Sequence, residues 1–213
     1  MVDDHKMFAE SLVRMLGDEP DMGVVGLAGS AKEAVDATFE HRPDVVLLDY
    51  DLPDDHGTTA AVAVRDAHPR AKLVMLTGHA DATVLAEAIE AGCTGFVTKD
   101  KATHELLSAV RAAAAGETAI SPELLAQLLP TIRGSERSLE RDPAALTPRE
   151  QQVLELLAEG ESTTAIAETL FLSRNTVRNH VQRLLGKLGA HSKLEAVAIG
   201  ARRGLVGQRR SVN

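Results

Sequence analysis

The stretch that most constrains this chain is Val45–Pro53, V-V-L-L-D-Y-D-L-P. Four successive apolar residues read as a strand buried on both faces, the pattern of a parallel sheet. The run ends at Asp49, and Pro53 cannot continue a central strand. A carboxylate is therefore expected at the carboxyl end of a buried strand, where open α/β sheets place their ligands. Acids also begin ordinary loops, so the neighbours of Asp49 decide what it means. Asp3 and Asp4 open the chain, Thr77 follows the apolar run Leu73–Leu76, and Lys99 follows Phe96–Val97. Each position closes a separate short run. Two further acids, a hydroxyl and a lysine around one Asp compose a phosphoryl site.

The rest of the first half supports a sheet. Apolar residues at helical spacing over His5–Gly17, a strand over G-V-V-G-L-A (residues 23–28), helices over Ala31–His41 and Thr58–His68, and a strand over Lys72–Leu76 follow in turn. The alternation continues with a helix over Ala82–Ala91, a strand over Gly95–Val97 and a helix over Ala102–Ala115; Gly92 and Gly116 stand where helix C-caps belong. Strands alternating with helices of this length predict a parallel sheet covered on both faces. After Gly116 the alternation stops. A short helix is expected over Pro122–Leu129 and a polar linker over Thr131–Pro143, with no strand pattern beyond it. Thr147-Pro148-Arg149-Glu150 spells an N-cap, a proline at the first helical position and a capping-box glutamate. Its helix ends at Gly160, Thr163–Leu170 is a second, Ser173 caps a third that ends near Gly189, and Ser192 starts a fourth. The expected boundaries are 1–117 for an α/β domain, 118–143 for the linker, 144–208 for a small all-α domain and 209–213 for a tail.

Charge divides along the same line. Residues 1–120 carry 21 acidic and 10 basic side chains, net −11; residues 121–213 carry 10 and 13, net +3. From Ser173 onward, nine Lys/Arg face the single acid Glu195. A basic second half suggests contact with a polyanion. The single cysteine, Cys93, excludes an intrachain disulfide and reads as a small buried filler. No apolar run approaches the ~20 residues of a spanning helix. M-V-D-D-H-K is not a signal peptide, so the expectation is a cytoplasmic protein with no membrane partner.

Three carboxylates at one sheet edge repel, and one must protonate unless a cation neutralises them. Mg²⁺ suits such a site, because it prefers oxygen ligands, keeps several waters and expects a phosphate. Asp3-Asp4, Asp49, Thr77 and Lys99, with Phe96 three residues before the lysine, resemble the receiver domain of bacterial two-component response regulators. The resemblance implies a flavodoxin-like sheet and a phosphoacceptor role for Asp49, with a sensor histidine kinase as donor. It implies that Asp4 binds Mg²⁺ directly, Asp3 through water, and that the Asp51 carbonyl is a further ligand. Thr77 and Phe96 match the family's switch pair, and Lys99 its phosphoryl-stabilising cation. His56 replaces an acid common in the family, Gly78 an Ala or Ser. Asp51 and His79 occupy positions where the family varies. A rival is the D-x-D of haloacid-dehalogenase-like phosphatases, read at Asp49-Tyr-Asp51. Those enzymes need an acidic pair after the lysine, whereas here the acids precede Asp49; the chain is read as a switch, not an enzyme.

Residues 146–205 resemble the LuxR-type DNA-binding domain through L-T-P-R-E-Q-Q-V-L-E-L-L-A-E-G, I-A-E-T-L and S-R-N-T-V-R-N-H-V-Q-R-L-L-G-K-L-G. The two resemblances together point to the NarL/FixJ family and to DNA as the partner. In the helix after Ser173, Val177, Val181, Leu184 and Leu188 share one face, and Asn175, Arg178, Asn179, Gln182 and Arg183 the other. Arg can pair bidentately with guanine, and Asn or Gln with adenine. Arg174 and Lys187 are expected on phosphate, which sets register. His180 is expected to pack or touch phosphate. Leu194, Val197, Ala198 and Ala201 form a stripe that the family resemblance makes a dimerisation face, giving a homodimer on phosphorylation or on DNA. A regulator that keeps this fold but responds to another signal remains the alternative.

One expectation concerns a missing element. The resemblance calls for about five apolar residues before the acidic pair, yet only Met1 and Val2 precede Asp3. In strand order 2-1-3-4-5 the first strand lies between strands two and three. Its absence exposes two buried edges, at ~1–3 kcal/mol for each backbone group left dry. The expectation is that the native chain carries an apolar strand upstream.

Overall fold

The computed structural model describes residues 1–78, 81–100, 103–122, 124–126 and 146–206. His79, the linker from 127 onward and the tail at 209–213 lie outside these residues. The chain divides into two compact units, Met1–Ala80 with Glu90–Ala119, and Asp81–Ile89 with Ile120–Asn213.

In the first unit the apolar runs become β1 (Val45–Asp49), β2 (Lys72–Thr77) and β3 (Gly95–Thr98), all parallel in the order β1-β2-β3. Val45 lies beside Lys72 and Val74 beside Gly95. Successive side chains of a strand point to opposite faces, and here both are covered. On one face Leu47, Val74, Leu76 and Val97 meet Leu12 and Leu16 of α1 (Lys6–Gly17) and Leu106, Leu107 and Ala113 of α5 (Thr103–Ala114). α2 (Ala31–His41) packs beside α3 (Gly57–Ala67), which lies over β1 and β2 through Ala60, Ala61 and Val64. α4 (Ala82–Glu90) is strongly apolar and falls mainly in the second unit. Alternation in sequence cannot assign such a stripe to one neighbour. After Gly116, at φ 72°, the chain runs beside β3. Phe96 N donates to Ala119 O at 2.8 Å and Ala119 N to Thr94 O at 3.1 Å, which covers the edge of the sheet.

The strand expected over residues 23–28 does not form; only Ala28 makes a bridge, to Val2. The reason is its neighbour. Met1–Asp3 occupies the first-strand position between residues 26–28 and β1: Val2 N donates to Leu47 O at 2.8 Å, Asp49 N to Val2 O at 2.9 Å and Asp3 N to Ala28 O at 3.0 Å. The Met1 ammonium donates to Gly26 O at 2.9 Å, and burial lowers its pKa. Beyond this stub a cavity of about 680 Å³ runs between residues 23–28 and Val45–Leu47. With no strand beside it, the ladder of 23–28 ends.

From Pro122 on, the elements of the second unit among the described residues are helices. Of the short helix expected over 122–129, residues 122 and 124–126 are helical as described. α6 (Pro148–Ala158), α7 (Thr163–Thr169), α8 (Arg174–Leu188) and α9 (Lys193–Arg202) follow; α6, α8 and α9 start at Thr147, Ser173 and Ser192 as expected, and α7 at Ser162, which was not singled out from the sequence. Ser162, Ser173 and Ser192 accept from the amides of Ala165, Thr176 and Glu195. Thr147 and Glu150 complete a reciprocal capping box.

Candidate functional site

The first site lies at the carboxyl ends of the three strands. Asp49 ends β1, Thr77 ends β2, and Lys99 follows β3, so three separate runs deliver three chemical groups to one edge. The Met1–Asp3 stub brings Asp3 to the same edge. The Lys99 ammonium stands 2.7 Å from Asp49 Oδ2 and 2.8 Å from Asp3 Oδ2. Both carboxylates are buried. Burial raises the Asp49 pKa and the Asp3 charge adds to that, against the opposing hydrogen bond from Lys99. For Lys99 burial acts downward, but hydrogen bonds to Asp3 and Asp49 outweigh it and the pKa is raised. The lysine therefore stays charged and bridges two acids that would otherwise repel.

Asp4 is exposed and meets His5, whose Nδ1 lies 2.8 Å from Asp4 Oδ1. Ligand atoms of Asp3, Asp4, His5 and Asp49 all lie within 4.8 Å of one another. Three carboxylates suit a hard divalent cation, and the paired lysine shows how much positive charge they draw. The Asp51 side chain is exposed, and its amide points to Asp49 Oδ1 at 3.4 Å. Thr77 is buried and its carbonyl accepts from Lys99 N at 2.7 Å, while Phe96 is sealed inside beside β2.

Three participants were not singled out from the sequence. His5 joins the acidic cluster, and its signal was its place directly after Asp3-Asp4. Phe8 lies with its ring centroid 5.0 Å from the Lys99 ammonium, a cation–π contact. Gly57 begins α3 so close to β1 that a Cβ there would stand 2.2 Å from Asp49 O. Its amide donates to Tyr50 O at 2.8 Å, tying α3 to the residue after Asp49.

The second site is the outer face of α8. Val177, Val181, Leu184 and Leu188 are buried, while Arg174, Asn175, Arg178, Asn179, Gln182 and Arg183 are exposed. His180 is half-buried. Lys187 departs from expectation. Its ammonium lies 2.7 Å from Glu150 Oε2, and Glu150 is itself buried. For Glu150 burial acts upward, but the hydrogen bonds from Lys187 and Thr147 prevail and its pKa is lowered. A lysine held by the capping glutamate of α6 is not poised as a mobile phosphate clamp. α9 carries the four residues expected to pair two chains. Leu194, Val197, Ala198 and Ala201 are all at most 3% exposed within one chain. They fill the domain's own core, where a Cβ on Gly200 would meet Leu154 Cδ2 at 2.9 Å. Within one chain this last helix closes over α6.

The family described as "Response regulator receiver domain" matches residues 1–111, and the family described as "Bacterial regulatory proteins, luxR family" matches residues 144–199. Among curated proteins, the chain is 37% identical over 197 residues to the DNA-binding transcriptional activator DevR/DosR of Mycobacterium tuberculosis, covering 92% of this chain and 90% of that protein. It is 36% identical to the probable transcriptional regulatory protein NarL of the same species, covering 96% and 93%. Among solved structures, the response regulator ChrA of a heme-sensing two-component system shares 28% identity at a TM-score of 0.51, covering 96% of both chains. A LuxR-family two-component response regulator from Aurantimonas shares 33% identity at a TM-score of 0.58, covering 61% of this chain and 93% of that one.

Proposed function

Because the chain belongs to the two-component response regulators of the NarL/FixJ type, a receiver joined to a LuxR-type DNA-binding domain, we propose that phosphorylation of Asp49 by a sensor kinase histidine switches DNA binding through α8. The observation that carries this reading is the Lys99 ammonium bridging buried Asp49 and Asp3 at the carboxyl ends of parallel strands.

An Asp49 carboxylate oxygen attacks the phosphorus in line; the bond to the donor imidazole breaks, and the imidazole leaves with the electron pair and takes up a proton. An acyl phosphate results. Catalysis of this kind is positioning and charge stabilisation. Mg²⁺, held by Asp3, Asp4 and Asp49 with the Asp51 carbonyl as a further ligand, would supply the positive charge the phosphoryl oxygens need. Lys99 shifts from its two carboxylates to the incoming phosphoryl group, and the Thr77 hydroxyl donates to one of its oxygens. With Phe96 already buried beside β2, movement of Thr77 is transmitted through the core of the sheet. On DNA, Arg178 with Asn175, Asn179, Gln182 and Arg183 reads base edges, and Arg174 holds phosphate. Two chains bind a two-fold site, using a surface other than the four buried residues of α9. Among the described residues no helix is long and apolar enough to cross a membrane, and the reading is of a regulator working in the cytoplasm with DNA.

The test is incubation of the full chain with Mg²⁺ and a small acyl-phosphate donor, followed by intact mass and gel filtration on one sample. The parent gains one phosphoryl mass and Asp49→Asn gains none while still folding. Undiminished acid-labile phosphate on Asp49→Asn would remove the assignment.

A further inference from the structure

The turn between α7 and α8 closes with a paired set of bonds, Leu172 N to Ala167 O at 2.8 Å and Phe171 N to Glu168 O at 3.2 Å. This Schellman arrangement places the residue after the cap in the left-handed region, where glycine is favoured. The chain has a phenylalanine there, Phe171, at φ 54°. Its side chain is 94% exposed, the highest of any large apolar side chain among the described residues. Phe39, also exposed, at least carries the Arg42 guanidinium 5.7 Å from its ring. Phe171 has no ring contact of that kind among the described residues. A left-handed backbone at a non-glycine residue and an aromatic ring in water both work against the isolated chain.

The turn is also rigidly held. The Arg149 guanidinium donates to Leu170 O at 2.6 Å, and Ser173, two residues after Phe171, caps α8. The ring is thus presented at the amino end of the helix whose exposed face carries Arg174, Asn175 and Arg178. We propose that Phe171 packs against deoxyribose of the DNA strand bordering the groove that α8 enters. The inference rests on the DNA reading above. In a helix-turn-helix, the start of the second helix reaches the base edges, so the turn before it meets the flanking backbone. Sugar carbons are the apolar part of that backbone. Thymine methyl groups lie deeper, within reach of the side chains of α8 itself.

The experiment compares the full-length parent, Phe171→Gly and Phe171→Leu by melting and by titration of two duplexes, one of random sequence and one that the parent selects from a random pool. Phe171→Gly should melt higher than the parent, because the left-handed position is relieved. It should bind both duplexes roughly five- to tenfold more weakly, the loss expected of one aromatic contact. Phe171→Leu should fall between the two in affinity. Unchanged affinity in Phe171→Gly overturns the proposal and leaves the ring to some other partner. A loss confined to the selected duplex, and reproduced in the parent by replacing thymine with uracil, overturns the sugar contact in favour of a base methyl. All three proteins are first phosphorylated with Mg²⁺ and the acyl-phosphate donor; a phosphorylated parent that enriches no duplex from the pool and does not bind the random one sinks the DNA reading itself, a failure visible before any variant is compared.

Discussion

Replacing Lys187 by alanine separates a structural lysine from a DNA-binding one. In the folded chain its ammonium lies 2.7 Å from Glu150 Oε2, while the same oxygen accepts from Thr147 N at 2.8 Å. Glu150 is 3% exposed, so without the lysine its carboxylate keeps only the capping bonds at the start of α6. Losing one partner of a buried pair costs about 3–5 kcal/mol when both groups are dry. Here the lysine side chain is 33% exposed, which brings the expected loss down to about 1–2 kcal/mol. For a domain of this size that is a fall of roughly 5–15 °C in melting midpoint. The pH dependence follows from the lowered Glu150 pKa. A depressed folded-state pKa contributes stability that is present above the unfolded value of about 4.3 and is lost as pH falls through the folded value. Lys187→Ala should therefore flatten the acid limb of a stability-against-pH curve relative to the parent. Thermal melts from pH 3 to pH 7, with DNA titrations at several salt concentrations, measure both effects. If Lys187→Ala melts like the parent at pH 7 while the salt dependence of DNA binding drops by about one ion, the lysine is a phosphate contact and the structural argument fails.

Gly57→Ala should destabilise the first unit by roughly 1–3 kcal/mol and slow phosphorylation of Asp49, because the new Cβ meets backbone that cannot rotate aside. A denaturant titration showing parent stability would mean that α3 shifts freely away from β1. Arg178→Ala should lose about 1–3 kcal/mol on its preferred site and relax base preference at one position. Binding-site selection that returns the parent's sequence would reject Arg178 as a base reader. Adding five β-branched residues ahead of Met1 should fill the 680 Å³ cavity and pair the edges on either side of it. A gain of roughly 5 °C or more in melting midpoint is expected, since each backbone group newly paired contributes about 0.5–1.5 kcal/mol. Identical melting curves would show that the cavity's edges need no strand.

Much of this protein could be read directly from residue order, for a physical reason. Burial on both faces demands unbroken apolar runs, so β1, β2 and β3 announced themselves, and the polar residue ending each run had to lie at the same sheet edge. Caps are equally local: Thr147, Ser162, Ser173 and Ser192 each bond an amide three residues away, within reach of pattern alone. The reading face of α8 followed from helical period. What period cannot say is what covers a face. Leu194, Val197, Ala198 and Ala201 do share a stripe, but only the packed domain shows that the stripe is consumed by its own core. Nor can order alone supply a partner distant in the chain. Residues 23–28 have a strand's composition but pair only at Gly26 and Ala28, with Met1–Asp3, since a strand exists only where a neighbour takes up its hydrogen bonds. Lys187 looked free for phosphate until the fold set it against Glu150, 37 residues earlier. Gly57 and Phe171 carry the same lesson, because a forbidden Cβ and an exposed ring are facts about the space around a residue. Sequence determines which groups need burial, charge or pairing; the tertiary structure decides which of the competing partners satisfies them.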